Sequence, residues 1–157
     1  MDLSPEDLQE VRDGKVLRLA PVRFLAPGTK LPHPGLFALG EKDIEEAREN
    51  QRPPMLSVFD RARTSIAEAR RIVAGDGELF AFELEVEEVC VLSARLPPQA
   101  MSIRVLRNLL LPKEKADLPG IKGHCGITGL HREPGIEKKH YRNVRDELCR
   151  LAHLVEE

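Results

Sequence analysis

The chain has 157 residues, 41% hydrophobic and 32% charged, with a formal net charge of -2. That is enough apolar content to bury a core in one domain and too much for wholesale disorder, while the near-neutral charge excludes a strong pull toward nucleic acid or anionic membrane. Aromatics make up only 4%, with no Trp and one Tyr, Tyr141, so the core must be aliphatic and stacking platforms for bases are nearly absent.

The first ten residues, MDLSPEDLQE, are acidic and hold no apolar stretch of the kind a secretory signal uses. Ser4-Pro5-Glu6-Asp7 predicts a helix start: Ser as cap, Pro at the first helical position, acids in the first turn. Gly14 predicts its end. From Lys15 to Ala26 the apolar residues alternate around Pro21, which cannot donate to a ladder; the segment reads as an edge strand, a bend or two short strands. Pro27-Gly28 and Pro32-His33-Pro34-Gly35 are turns, and Leu36 to Leu39 reads as a brief strand.

Gly40 to Gln51 is almost wholly charged, with Ile44 and Ala47 as its apolar pair, and predicts an exposed helix with a narrow buried stripe. Met55 to Phe59 predicts a strand. Asp60 or Thr64 then caps a helix running to Val73, with Ile66, Ala69, Ile72 and Val73 as its buried face, stopped by Gly75. Leu79 to Val86 alternates most cleanly, with acids on its wet side. Val89 to Leu92 continues it as short helix or strand.

Met101 to Leu111 fits helix and strand spacing alike and is assigned to strand; Lys113 to Leu118 is a charged loop. His124 to Leu130 is the last expected strand, with Ile127 and Cys125 inward. Ile136, Val144, Leu148, Leu151 and Val155 share one face of a long terminal helix. The expected fold is therefore α+β, one globular domain over residues 1–157. It is a small mixed or antiparallel sheet of about five short strands with three to four helices, the long C-terminal helix packed on the sheet.

The chemistry-bearing residues concentrate in Gly120 to Leu130, GIKGHCGITGL. Its glycines miss both the GxxxxGK[ST] and the GxGxxG spacing, so the stretch reads as a bent, tightly packed strand rather than a phosphate loop. His124 and His131 flank that strand, and two imidazoles titrating near neutral pH are the means of metal-free acid–base cleavage of RNA. In that reading His124 acts as base or acid with His131 as its partner, and Thr128 and Tyr141 position the substrate. Tyr141, Arg142 or Arg132 hold the phosphate, and Arg132 or Lys122 stabilise the phosphorane-like transition state. Thr128 shares a strand face with His124; Cys125, being adjacent, points the other way and has no base in His124.

Cys149 and His153, four apart on the terminal helix, with Cys125 and His131, form a candidate zinc set that matches no recognised finger spacing. Three cysteines at wide spacing suggest no disulfide framework and suit a reduced cytoplasmic compartment. Ser57, Asp60, Arg61 and Arg63 cluster at a strand end and form a candidate ligand position, against helix capping by Asp60. No cofactor signature is complete. The sequence therefore reads first as a small cytoplasmic domain that acts by binding a protein partner. A metal-independent phosphodiesterase or RNase-like enzyme is second, and a zinc-stabilised domain third.

Overall fold

A computed structural model describes residues 9–25, 32–49, 51, 53–73, 79–107 and 118–155. Among these, seven strands and four α-helices follow in chain order. They are β1 (Glu10–Val11), β2 (Lys15–Pro21), α1 (Glu41–Glu49), β3 (Leu56–Asp60), α2 (Ile66–Val73) and β4 (Leu79–Glu85). Then come α3 (Val86–Cys90), β5 (Val105–Arg107), β6 (His124–Ile127), α4 (Lys138–Leu151) and β7 (His153–Val155). The strands form one sheet in the order β1-β5-β6-β3-β2-β4-β7, and every pairing is antiparallel.

Side-chain alternation gives the sheet two apolar faces, because neighbouring residues on a strand point to opposite sides. Val16, Leu56, Val58, Phe82, Leu84, Val105, Cys125 and Ile127 face one way and meet Tyr141, Val144, Leu148 and Cys149 of α4, with Val86 and Val89 of α3. Leu17, Leu19, Phe59 and Ala81 face the other way and meet Ile66, Ala69 and Ile72 of α2. Both layers are mainly aliphatic, as the composition requires.

The sheet is larger than the five strands expected, and several boundaries move. β1 occupies Glu10–Val11, where a helix running to Gly14 was expected; the residues of its expected cap lie outside the described part. Leu36 to Leu39 is not a strand: Pro34–Phe37 is a 3-10 turn, started by the fixed φ of Pro34 and capped by the His33 side chain, which accepts from the Gly35 amide. The strand beginning at Leu79 stops at Glu85, and Val86 opens α3, which a 3-10 turn to Arg95 extends. Of Met101 to Leu111 only Val105–Arg107 is strand among the described residues.

Asp60 and Thr64 do not cap α2. Ser65 and Glu68 do, reciprocally: the Ser65 amide donates to Glu68 Oε1 at 2.9 Å and the Glu68 amide to Ser65 Oγ at 3.1 Å. The terminal helix ends at Leu151, not Val155. Ala152 turns to extended backbone, and His153–Val155 pairs with Ala81–Glu83 at the sheet edge. Among the described residues no helix is long and apolar enough to cross a membrane.

Candidate functional site

The glycine-rich stretch at β6 is packed from both sides. A Cβ on Gly126 would stand 2.5 Å from the Met55 Cβ. Gly129 sits at φ 80°, where a Cβ would lie 2.8 Å from the Ser102 carbonyl oxygen. These two glycines serve close approach and a left-handed turn, as strand packing requires.

His124 is buried, packs its ring against Phe59 at 5.3 Å between centroids, and places Nε2 2.6 Å from Ser57 Oγ. Phe59 lies opposite His124 in the register, so Ser57 is its same-face diagonal neighbour. Thr128 is the residue that follows β6. Its hydroxyl donates to the Ser102 carbonyl at 2.9 Å and accepts from the Arg104 amide at 3.1 Å, which ties the strand to the segment before β5. Cys125 faces α4, its thiol donating to the Gly123 carbonyl at 3.3 Å, and burial pushes that thiol up to about 11. A group so placed is a weak nucleophile.

The other expected site residues scatter. His131 is exposed in the bend beyond Leu130, and Lys122 is exposed in the turn before β6. Asp60 is buried, accepts from the Ala62 amide at 3.0 Å and holds Arg107 by two contacts of 3.3 Å. Arg61 reaches Glu83 at 3.7 Å on the surface. Tyr141 belongs to the α4 face of the sheet, opposite the face that carries Phe59 and His124. The sheet thus separates the imidazole of His124 from the phenol expected to assist it.

The zinc set does not converge either. Cys149 is buried on α4, where burial raises its thiol to about 11, whereas His153 is exposed on β7. The helix ends between them, so the four-residue spacing does not place them on one helix face. Among the described residues no three His, Cys, Asp or Glu side chains lie where they could share an ion.

Among the described residues, a recess of about 300 Å³ lies along the first half of α4, lined by Arg132, Lys138, Tyr141, Arg142 and Arg145. Positions 138, 141, 142 and 145 share one helix face, and Arg132 closes the end from the preceding loop. Arg132 is fixed there by donating Nε to the Ile136 carbonyl at 2.7 Å. Tyr141 is the buried floor, and its hydroxyl oxygen accepts from the Glu133 amide at 3.4 Å, a long contact. Four side chains of the lining are cations and none is an acid. Among the described residues no carboxylate forms an ion pair with any of the four; Glu137 pairs with Lys139, and Glu147 with Arg150 and Arg95.

Helix polarity sharpens this imbalance. The first turn of α4 contains no acid and the N-cap, Glu137, makes no side-chain capping bond, so lysines stand where the helix dipole favours negative charge. Lys138 and Arg145 are the residues of the recess that sequence reasoning missed. The signal was present in cations at i, i+4 and i+7 beside an arginine in the preceding loop. Comparison with protein-family models, with curated proteins and with solved structures finds no match to this chain.

Proposed function

We propose that the protein is a binding domain that engages a partner protein through the recess on α4, which receives an anionic group carried by that partner. The observation that carries this reading is the grouping of four cations around a concave floor with no carboxylate among them. Guanidinium groups suit such a role because their planar fork meets carboxylate and phosphate oxygens two at a time. Three cysteines without disulfide partners suit a reducing, cytoplasmic setting for it.

The test is a titration of isotope-labelled protein with millimolar inorganic phosphate, followed by amide NMR. Shifts confined to Arg132 and the 138–145 segment support the reading, and an unmoved spectrum removes it.

A second reading, a metal-independent phosphodiesterase, has one observation in its favour: the 2.6 Å contact between Ser57 Oγ and His124 Nε2. That is the arrangement in which an imidazole takes a hydroxyl proton. Turnover of bis(p-nitrophenyl) phosphate that vanishes in Ser57→Ala would support it; absence of turnover in the native protein sinks it.

A further inference from the structure

The shape and charge of the recess say more about its ligand than that it is anionic, on the premise that the recess is the binding site. Lys138 and Arg142 are one i, i+4 step apart, an axial rise of about 6 Å, and Arg145 extends the row to about 10 Å. In an extended peptide, side chains on the same side recur every two residues, about 6.6 Å. The row therefore matches two anionic side chains at i and i+2 of a chain lying along α4.

Charge selects among anions. The lining carries four positive charges. Two carboxylates would offset half of that, whereas two phosphate monoesters bring roughly -3 to -4 at neutral pH. Three of the four cations are arginines, the side chain that pairs with phosphate through two parallel N–H bonds. The first-turn amides of α4, uncapped by Glu137, add donors at the end where an anion gains most from the helix dipole.

A nucleic-acid strand also spaces its phosphates regularly, but sequence-tolerant strand binding relies on exposed aromatic faces. The recess has one aromatic, Tyr141, and it is buried as the floor. We infer that the recess on α4 binds an extended segment of a partner protein phosphorylated at two positions separated by one residue.

Fluorescence anisotropy with the labelled peptide Gly-pSer-Gly-pSer-Gly-Gly tests this. Its comparators are the two singly phosphorylated versions, the version with Asp at both sites, a version with the phosphoserines four residues apart, and a thymidine decamer. The doubly phosphorylated i, i+2 peptide should bind about ten-fold tighter than every comparator. The double substitution Arg142→Ala with Arg145→Ala should remove that advantage while the circular-dichroism melt stays unchanged. Arg142→Lys with Arg145→Lys, which keeps charge but loses the fork, should remove part of it, and Lys139→Ala, outside the recess, none.

Equal affinity for singly and doubly phosphorylated peptides, or for the wider spacing, overturns the pairing. Decamer binding as tight as the peptide's and lost with the same arginines overturns the choice of partner. Either result leaves intact the anion site that the phosphate titration reports, so the two readings fail separately.

Discussion

Two polar regions of this molecule stand in opposite condition. Around β6, the buried polar side chains that drew attention in the sequence meet partners within the fold: His124 meets Ser57, Thr128 meets Ser102 and Arg104, and Asp60 meets Arg107. Along the first half of α4, four cations share a recess with no carboxylate in its lining, and one of them, Lys138, stands in the first turn, where the helix dipole disfavours it. A buried polar group must be paired for the chain to fold. An exposed like-charged cluster has no such requirement, and nothing in folding rewards it. Architecture therefore explains the first region, and the second is the one for which we propose binding.

The contrast yields predictions of opposite sign. The largest effect belongs to Gly129→Ala, which combines a strained positive φ with a collision against backbone carbonyls. It should cost about 3–4 kcal/mol, lowering the melting temperature by roughly 10 °C; a neutral result would mean that the turn after β6 relaxes freely. Next, Asp60→Ala strands the mostly buried Arg107 guanidinium and should cost about 3 kcal/mol in urea unfolding. A loss no larger than that of an exposed pair would return Asp60 to the list of ligand-binding candidates.

Thr128→Val leaves the Arg104 amide without its acceptor, and about 2 kcal/mol should disappear from the same measurement. The smallest effect runs the other way. Lys138→Glu puts an acid in the first turn of α4 and relieves repulsion in the recess, so it should stabilise the protein by about 0.5 kcal/mol while weakening anion binding. If Lys138→Glu instead destabilises, the recess is part of the architecture and the contrast collapses.

What could be read from the sequence depended on whether the deciding contact was local. β4 was legible because Phe80, Phe82 and Leu84 alternate with Ala81 and Glu83, and that period alone defines a strand. β7 was not, because Leu151 and Val155 keep helical spacing; what ends the helix is a pairing of His153–Val155 with residues some seventy positions earlier. Ser65 and Glu68 could have been recognised as a capping box from their spacing, but Asp60 and Thr64 drew the assignment instead.

The candidate site divides the same way. Tyr141, Arg132 and Arg142 were visible as a group able to hold phosphate. Lys138 and Arg145 were not singled out, since a charge row reveals itself as uncompensated only once the positions of all neighbouring acids are known. The Ser57–His124 contact spans 67 residues and two strands, and no local pattern encodes it. Neither strand arithmetic nor composition indicated that the sheet would stand between His124 and Tyr141.

The way α4 is moored has a mechanical consequence. It leaves β6, third in the sheet, and returns as β7, seventh, so it must cross four strand spacings, about 19 Å. Its 14 residues span about 21 Å. The helix, joined to β6 through residues 128–137, forms a strut of comparable length, with the recess along its first half and a three-residue clasp beyond its other end. A pull on the recess by a bound chain loads the whole strut, and the clasp at the sheet edge is where that load is resisted.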